Sequence, residues 1–342
     1  MRVLVATDAW HPQINGVVRS LEHMAAQAPT QGAQMAFLTP AAFRTLPMPS
    51  YPEIRLSLTT PGGVARRIAE IAPDCVHVAT EGPIGFAVRA ACLAEGRSFT
   101  TSYHTRFPEY LAARAPVPER WAYAALRRFH NAGAACMVST ASLARELEAR
   151  GFTNVVPWTR GVDTDLFRPR DEACPDLKRP IFLSVGRLAV EKNLAAFLGL
   201  DLPGTKVVVG DGPARAELER IDPNARFLGA LTGEALARVY AAADVFVFPS
   251  LTDTFGIVLL EALASGLPVA AYPVTGPLDV IGDTGCGVLD RDLRRACLEA
   301  LRIPRERCRA QALRCSWAES GRQFFDNIRA AHERTIPRRA IA

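Results

Sequence analysis

The stretch VFVFPSLTDTFGIVLLEALASGLPVAA, residues 245–271, contains a strand, a loop, a helix and a second strand in direct succession. Its strands are continuous apolar runs that do not alternate with polar residues, which is typical of a parallel sheet covered on both faces. The helix after Gly256 is apolar on nearly every side, yet Glu261 lies in its middle and Asp253 stands just before its first turn. A buried carboxylate costs free energy unless something pairs with it, so both acids are candidate site residues.

The same alternation of strand and helix runs through the whole chain. Strand candidates are RVLVATD, QMAFLTP, CVHVAT, FTTSYH, ACMVST and VVPWT in the first half, and IFLSVG, KVVVGDG, ARFLG, VFVFPS and PVAAYPV in the second. Helix candidates are Val17–Gln27, Val64–Ile71, Gly85–Ala94, Glu119–His130, Ser142–Arg150 and Arg305–Ala331. This repeated pattern predicts an α/β protein with two doubly wound domains.

Chain length and a polar, proline-bearing stretch indicate where the domains divide. A chain of 342 residues exceeds what one hydrophobic core usually supports. We expect an N-terminal domain at 1–168, a linker at 169–180, a C-terminal domain at 181–318 and a C-terminal helix at 319–342 that returns to the first domain. In open parallel sheets, ligands bind beyond the carboxyl ends of the strands, so two such domains would hold a site between them.

The composition is that of an ordinary soluble protein, with 49% hydrophobic and 22% charged residues. The chain has no run of 18 apolar residues, which argues against a membrane span, and its start lacks the features of a signal peptide. Eight cysteines occur without a CxxC pair or a metal-ligand spacing. We therefore expect free thiols in a reducing cytoplasm.

The positive charge of the chain lies entirely in its first half. Residues 1–170 contain 18 arginines, no lysine and 13 acidic residues, whereas the whole chain has a formal net charge of +5. A basic first half favours an anionic partner such as a phosphate, an acidic lipid surface or nucleic acid. The alternative is a surface bias without functional meaning.

Several loops have residues suited to a phosphate. The sequence lacks GxGxxG, which argues against a dinucleotide-binding oxidoreductase. Gly16 opens a helix, where backbone N–H groups can approach a phosphate closely. Arg187 and Lys192 follow the first strand of the second half and suit a diphosphate, and Gly210 lies in a turn after the next strand. A plain turn glycine and a solvated loop are the alternatives for these residues.

The segments GRLAVEKN, GDGP, PSLTDTFG and LLEALASGLPV, in this order and spacing, resemble the nucleotide-sugar domain of the family 4 retaining glycosyltransferases, which have the GT-B fold. INGVVRSLE, SYHTRFPEY and RGVDTDLF extend the resemblance over essentially the whole chain. The sequence is most similar to bacterial enzymes that attach α-linked sugars, such as glucosyl, glucuronosyl, mannosyl or sulfoquinovosyl groups, to glycerolipids or inositol lipids. The resemblance implies two Rossmann-like domains with the active site in the cleft between them.

The resemblance also implies how the second domain binds the donor. Asp253 would reach hydroxyls of the donor sugar, and Glu261 would bind the ribose hydroxyls as a bidentate acceptor. The backbone N–H groups of Thr254, Phe255 and Gly256, at the helix start, would bind the sugar or its phosphate. The chain departs from the commoner family pattern by having Asp rather than Glu at 253.

The resemblance assigns the leaving diphosphate to cations and backbone donors. Arg187 and Lys192 would stabilise the charge that develops on the leaving nucleoside diphosphate. Gly210 belongs to the donor-binding set, and Gly16 would donate its N–H from the opposite domain. Because these groups would stabilise the leaving diphosphate, we expect no cofactor and no metal requirement.

The first domain would supply the acceptor side. By its family match, His104 lies near the reactive carbon of the sugar and the departing phosphate, whereas the plain alternative is a structural histidine. Further acceptor-side candidates are Asn15, Glu81, Arg106, Glu109, Tyr110 and Arg160. We expect the family's front-face mechanism, in which the leaving phosphate takes the acceptor proton.

The segment VPERWAYAALRRFHNAG combines aromatic and basic residues on one helix. These are Trp121, Tyr123, Leu126 and Phe129 together with Arg120, Arg127 and Arg128. Such a helix suits a membrane surface, and the alternative is a core helix with a solvated charged edge. We expect a cytoplasmic protein that contacts the inner face of the cytoplasmic membrane.

Taken together, the sequence predicts a retaining hexosyltransferase that uses a nucleotide sugar, with UDP favoured, and a diacylglycerol-type lipid acceptor, without nucleic acid as a partner. One alternative is a GDP-mannose-dependent α-mannosyltransferase with a lipid or a soluble acceptor. A second is a nucleotide-sugar 2-epimerase, which needs no acceptor. A third is a noncatalytic nucleotide-sugar-binding subunit, whose expected mark would be loss of Arg187, Lys192 or Glu261, and all three are present.

Overall fold

The computed structural model describes residues 1–13, 15–48, 51–112, 118–171, 176–253 and 255–335, except for the side chains of 51–53, 110–112 and 335. The chain forms two compact units. The first unit contains Met1–Thr159 and the chain from Trp317 onward, and the second contains Arg160–Ser316.

The first unit alternates strands and helices. Its strands are β1 (Arg2–Ala6), β2 (Gln34–Leu38), β3 (Arg44–Met48), β4 (Tyr51–Leu58), β5 (Cys75–Val78), β6 (Thr100–Ser102), β7 (Ala135–Val138) and β8 (Val155–Pro157). Its first six helices are α1 (Gly16–Gln27), α2 (Pro61–Ile71), α3 (Pro83–Ala94), α4 (Phe107–Ala112), α5 (Glu119–His130) and α6 (Ala141–Ala149).

Six of these strands form a parallel sheet in the order β2-β1-β5-β6-β7-β8. Strand β1 pairs with β2 from Arg2 opposite Gln34 onward, and its other edge pairs with β5. Every residue of β5 and β7 is buried, because helices cover both faces of the sheet. The sequence missed the antiparallel β3–β4 hairpin, whose proline-bearing strands lack a continuous apolar run.

Strand β6 is polar although it lies inside this sheet. The imidazole of His77 is 2.8 Å from the Thr100 hydroxyl and 3.0 Å from the Ser102 hydroxyl. On the opposite face, Nδ1 of His130 lies 2.9 Å from the Thr101 hydroxyl. Because side chains alternate along a strand, one buried histidine serves each face, and the three hydroxyls of β6 are all hydrogen-bonded.

The second unit repeats the pattern. Its strands are β9 (Ile181–Val185), β10 (Thr205–Val209), β11 (Arg226–Phe227), β12 (Val245–Phe248), β13 (Val269–Ala271) and β14 (Gly287–Leu289). Its helices are α7 (Leu194–Leu198), α8 (Arg215–Ile221), α9 (Gly233–Ala242), α10 (Ile257–Ala264), α11 (Thr275–Val280), α12 (Leu293–Ala300) and α13 (Arg305–Ala312).

The strands of the second unit form a parallel sheet in the order β11-β10-β9-β12-β13-β14. The stretch 245–271 becomes β12, α10 and β13, with β12 and β13 paired in parallel. Every residue of both strands is buried. The two sheets confirm the predicted α/β fold of two Rossmann-like domains.

The segment 160–168, which the sequence assigned to the first domain, belongs to the second unit. The Val162 N–H donates to the Cys315 carbonyl at 3.0 Å. The Arg309 guanidinium donates to the carbonyls of Thr164 and Phe167 at 2.9 and 2.8 Å, and the Phe167 ring packs in the core of this unit. These contacts join residues about 150 positions apart in sequence, so a local pattern does not show them.

The C-terminal part of the chain forms two helices where the sequence predicted one helical segment over 305–331. The residues 313–316 separate α13 from α14 (Trp317–Thr335). Helix α14 belongs to the first unit: Trp158 Nε1 donates to the Ser320 hydroxyl at 3.1 Å, and the Thr159 N–H donates to Gln323 Oε1 at 3.0 Å. Residues 336–342 of the predicted 319–342 helix lie outside the described residues. None of the described helices is long and apolar enough to cross a membrane.

Candidate active site

In the second unit, two loops at the carboxyl edge of the sheet are tied together. They follow β9 and β12, which are neighbours in the sheet. The Asn193 side chain, on a residue with φ 51°, donates to the Pro249 carbonyl at 3.1 Å. The Ser250 hydroxyl donates to the Glu191 carbonyl at 3.3 Å. The structure thereby brings together the loop of Arg187 and Lys192 and the loop of Asp253.

An ion pair connects these two loops. The Lys192 ammonium lies 2.6 Å from one carboxylate oxygen of Asp253 and 2.8 Å from the other. Both side chains are largely shielded from solvent. Arg187 lies in the same loop as Lys192, and its side chain is partly buried. The cation and the acid that the sequence singled out therefore lie in direct contact.

Glu261 lies in the second turn of α10 and is 3% exposed. Its Oε2 accepts a hydrogen bond from the Tyr240 hydroxyl at 2.9 Å. Tyr240, near the end of α9, is fully buried in the core beside α10. This bond fixes the position of the carboxylate and offsets part of the free-energy cost of removing it from water. The sequence analysis did not identify Tyr240.

The start of α10 has a backbone that requires glycine. Gly256 has φ 82°, and a Cβ there would lie 3.1 Å from the Phe248 ring. Phe255 packs against the core of the unit, and Thr254 lies outside the described residues. No side chain in the part of the chain that the structure describes caps this helix. Its first N–H groups are of the kind that bind anions.

The N-terminus of α11 approaches the same loop, which the sequence analysis did not predict. A Cβ on Gly276 would lie 2.9 Å from the Phe255 carbonyl oxygen and 3.1 Å from that of Asp253. Only glycine allows this close approach. The N-terminal backbone of α11 therefore packs directly against the backbone carbonyl of Asp253.

Gly210 has a packing role in addition to its predicted donor role. Its φ is 140°, and a Cβ there would lie 1.8 Å from the Gly186 carbonyl oxygen. A Cβ on the next loop glycine, Gly212, would lie 2.4 Å from the Leu188 carbonyl oxygen, and the Leu188 N–H donates to the Asp211 carbonyl at 2.9 Å. These glycines let the loop after β10 lie directly against the loop that carries Arg187.

In the first unit, His104 follows β6 at the carboxyl edge of the sheet. Its ring contacts Trp158 edge to face, with 5.5 Å between the ring centroids. Trp158 is fully buried and held by α14. The contact with the Trp158 indole therefore limits the orientation of the His104 ring. The predicted contact of His104 with the donor remains a prediction.

Glu81, at the same edge, is bonded to a buried histidine. Its Oε1 lies 3.0 Å from His130 Nε2. Burial alone would lower the pKa of His130, but the neighbouring Cys136 sulfur and the Glu81 carboxylate outweigh burial and raise it to about 10. The raised pKa favours the charged imidazole, and the contact between His130 and Glu81 fixes the position of the carboxylate.

Arg106 and Glu109 connect α4 to its neighbouring helices. Arg106 donates to Glu109 at 2.9 Å and to Glu146 of α6 at 2.6 Å. Burial opposes the charge of Arg106, but its bonds with Glu146 and Glu109 raise its pKa. The Tyr123 hydroxyl of α5 donates to the same oxygen of Glu109 at 2.7 Å. These contacts give both residues a structural role, whereas the side chain of Tyr110 lies outside the described residues.

Asn15 and Gly16 form the beginning of α1. The Asn15 side chain caps the helix by accepting from the N–H groups of Val17 and Val18, both at 3.0 Å. Gly16 is the first residue of α1. Asn15 therefore has a capping role that the sequence did not assign, and its predicted contact with the acceptor remains a prediction.

Arg160, also predicted on the acceptor side, belongs to the second unit rather than to the first. Its side chain is buried, with 5% of the residue exposed. Burial lowers the pKa of Arg160 to about 9. The predicted role of Arg160 on the acceptor side remains a prediction.

Two known protein families match the two parts of this chain. A profile described as Glycosyl transferases group 1 matches residues 179–302, and one described as Glycosyltransferase Family 4 matches residues 14–166. A GDP-mannose-dependent alpha-mannosyltransferase of Mycobacterium tuberculosis is 34% identical over 84% of this chain and 83% of its own.

The chain belongs to glycosyltransferase family 4. The sulfoquinovosyl transferase of Arabidopsis thaliana is 33% identical over 70% of this chain, and the match spans half of that protein's length. Among solved structures, sucrose-phosphate synthase of Thermosynechococcus elongatus has a TM-score of 0.77 at 19% identity and covers 97% of this chain and 99% of its own. The GT-B fold and the hexosyltransferase class that the sequence predicted are confirmed.

One residue of this glycosyltransferase that the sequence analysis missed is Asp8, which follows β1. Its carboxylate accepts from the backbone N–H groups of Ile84 and Gly85 at 2.9 and 3.3 Å and from the Thr80 hydroxyl at 3.0 Å. Burial raises the pKa of Asp8. Asp8, which follows β1, thus caps α3. The sequence feature that could have identified Asp8 is an acid at the carboxyl end of a strand.

The α5 helix of the enzyme exposes less apolar surface than its sequence suggested. Tyr123, Leu126 and Phe129 are buried in the first unit, whereas Trp121 is 63% exposed. The three arginines of α5 are exposed. The apolar face is therefore a core face, and the exposed face includes one tryptophan together with three arginines.

The raised pKa of His130 predicts a pH dependence of stability. A histidine whose pKa rises on folding stabilises the fold fully below its unfolded pKa, about 6.5, and this contribution is lost as the pH rises towards 10. We expect the free energy of unfolding of the parent, relative to His130→Gln, to fall by more than about 1.4 kcal/mol between pH 6.5 and 9.5.

Denaturant unfolding of both proteins at several pH values measures this difference. His332→Gln, on the surface of α14, is the matched control and should follow the parent at every pH. Parallel curves for the parent and His130→Gln would show that the buried imidazole is neutral.

Proposed function

We propose that this chain transfers a hexose from a nucleoside diphosphate sugar to a hydroxyl group with retention of the anomeric configuration and without a metal. The observation that carries the proposal is the set of groups at the carboxyl edge of the second sheet. Lys192, in the loop after β9, contacts the carboxylate of Asp253, in the loop after β12, and the helix that follows Asp253 carries a buried acid, Glu261. In this proposal the set has a cation for the diphosphate, one carboxylate for the hexose and one for the ribose.

Each group has a chemical task in this proposal. Lys192 and Arg187 stabilise the charge that grows on the leaving diphosphate. Glu261, held by Tyr240, accepts hydrogen bonds from the ribose hydroxyls. Asp253 accepts from hydroxyls of the hexose. The leaving phosphate takes the proton of the acceptor, so the residues need only to position the substrates and stabilise charge.

Two donors are candidates. UDP-hexose is the donor that the sequence favours, and Anabaena HepE, with a TM-score of 0.73 at 14% identity, has been solved with UDP-glucose. GDP-mannose is the second candidate, because alpha-mannosyltransferases named for it match 84% to 100% of this chain at 29% to 34% identity. The shared chemistry is a nucleoside diphosphate hexose.

A donor screen tests this proposal. UDP-glucose, UDP-galactose and GDP-mannose are each incubated with the enzyme and a total lipid extract, with and without EDTA, and products are read by mass spectrometry. We expect a hexosyl lipid from one donor, with an α linkage by NMR and the same rate in EDTA. Free isomerised sugar without acceptor would indicate an epimerase, and donor binding without turnover a noncatalytic subunit. Loss of activity in EDTA would refute the metal-free reaction.

The lipid acceptor is proposed from charge and surface. The first half carries the whole net charge of +5, and α5 exposes Trp121 beside its arginines. A phosphatidylinositol dimannoside mannosyltransferase is among the relatives, at 26% identity over 83% of this chain. A basic surface with an interfacial tryptophan suits an anionic membrane.

Binding to vesicles of phosphatidylglycerol and phosphatidylcholine should depend on α5. We expect Arg120→Ala and Arg128→Ala each to weaken binding about fivefold at low salt, because one arginine near an anionic surface contributes about 1 kcal/mol. Trp121→Ala should weaken binding at every salt concentration. Arg66→Ala, an exposed arginine of α2, is the control in the same unit. Equal losses for the three arginine variants, with no loss for Trp121→Ala, would assign the binding to net charge rather than to α5.

A further inference from the structure

In the proposed function, Lys192 binds the diphosphate of the donor and Asp253 binds its hexose. In the structure, these two side chains form an ion pair with each other. The ammonium contacts both carboxylate oxygens, at 2.6 and 2.8 Å. Side-chain exposure is 27% for Lys192 and 16% for Asp253. Such a pair is screened by solvent less than a surface pair is.

In this geometry, the carboxylate competes with the diphosphate for the same ammonium. An ammonium has three N–H donors, and the carboxylate engages it with both oxygens. A phosphate that approached Lys192 would also meet the negative charge of Asp253, and like charges repel. A nucleoside diphosphate alone therefore faces an occupied cation.

The backbone around the pair is held, so the loops themselves keep the two groups together. Asn193 bonds to the Pro249 carbonyl, and Ser250 bonds to the Glu191 carbonyl. Gly276 packs against the carbonyl of Asp253. The carboxylate can leave the ammonium by side-chain rotation, for which hydroxyl groups that donate to it provide a new partner.

We propose that the Lys192–Asp253 pair is a latch that couples recognition of the sugar to binding of the diphosphate. Asp253 withholds the Lys192 ammonium from a diphosphate until hydroxyls of the donor hexose engage the carboxylate. The complete donor thus gains both groups, whereas the nucleoside diphosphate product gains neither and is released. The inference rests on the proposed function, and it makes Asp253 a specificity-determining residue.

Calorimetric titration of the 342-residue chain with UDP, UDP-glucose, GDP and GDP-mannose tests the latch. Asp253→Asn keeps the shape of the side chain and removes its charge. We expect this variant to bind the free nucleoside diphosphate at least fivefold more tightly than the parent does. Its affinity for the corresponding nucleotide sugar should stay equal or fall. If Asp253→Asn binds the free diphosphate no more tightly than the parent, the latch is refuted.

A double-mutant cycle separates the latch from a general effect of charge. In the Lys192→Arg background, with an altered geometry of the pair, the gain from Asp253→Asn should shrink, and in the Lys192→Ala background it should vanish. A gain that persists without Lys192 would overturn the latch, because it would come from charge alone. Asp201→Asn, an exposed acid of the same unit, is the charge-matched control and should bind like the parent.

The same titrations distinguish failure of the latch from failure of the proposed function. If the parent binds none of the four nucleotides, the proposed function fails and the latch fails with it. If the parent binds a nucleotide sugar and Lys192→Ala loses that binding, the proposed function stands. The response of Asp253→Asn to the free diphosphate then decides the latch by itself.

Discussion

Replacement of Lys192 by alanine is expected to lower kcat/KM about 100- to 1000-fold, or about 3–4 kcal/mol in transition-state stabilisation. The ammonium lies in a partly shielded loop beside Asp253, where an electrostatic contact is stronger than in bulk water. Its removal leaves the charge of the leaving diphosphate to Arg187 and to backbone N–H groups. The measurement is steady-state turnover with the donor that the screen identifies.

The design of this experiment separates chemistry from folding. Lys192→Arg keeps the charge and should recover part of the activity, since a guanidinium also binds phosphate. Arg302→Ala, which removes an exposed cation of the same unit, should match the parent. A melting temperature close to that of the parent is required for Lys192→Ala. Turnover within a few-fold of the parent would contradict the role of Lys192.

The largest effect on stability is expected from Gly210→Ala. A Cβ at 210 would lie 1.8 Å from the Gly186 carbonyl oxygen, at a φ of 140° that side chains rarely adopt. The loops must move apart, at a cost of roughly 2–5 kcal/mol from strain and overpacking. Denaturant unfolding of the variant, followed by far-UV circular dichroism, measures the loss. Because the loop of Lys192 would move as well, donor affinity should fall with stability.

Gly62→Ala is the matched glycine control. A Cβ on Gly62 meets no atom of the described residues within 4 Å, and the residue lies in the first turn of α2. We expect this change to be neutral or to stabilise the protein by up to about 1 kcal/mol, because alanine lowers the entropy of the unfolded chain. A Gly210→Ala variant as stable as the parent would show that the two loops are not constrained by this contact.

The prediction of the fold from sequence succeeded where burial controls the pattern. Strands such as β7 and β12 are apolar throughout because helices cover both faces of their sheets. The β3–β4 hairpin was missed, and the C-terminal segment is two helices rather than one. In both cases, the local composition lacks the residue pattern that would predict a strand or a helix break.

For the site, the sequence identified acids and cations but not the side chains that hydrogen-bond to them. It singled out Glu261 as a buried liability, and the structure shows Tyr240 bonded to it. It placed Arg106 and Glu109 on the acceptor side, and the structure pairs them with α5 and α6. Hydrogen bonds between helices depend on how the helices pack, which spacing within one segment does not reveal.

The sequence by itself determined the fold class, because burial imposes residue patterns that can be read locally. The resemblance of its motifs to a known family indicated the family and the candidate groups. Only the tertiary structure decided that Lys192 and Asp253 are in contact, although 61 positions separate them. It also decided that 160–168 belongs to the second unit. Contacts of this kind form when neighbouring parallel strands bring distant loops to one edge of a sheet, and their partners are chosen by packing rather than by sequence distance.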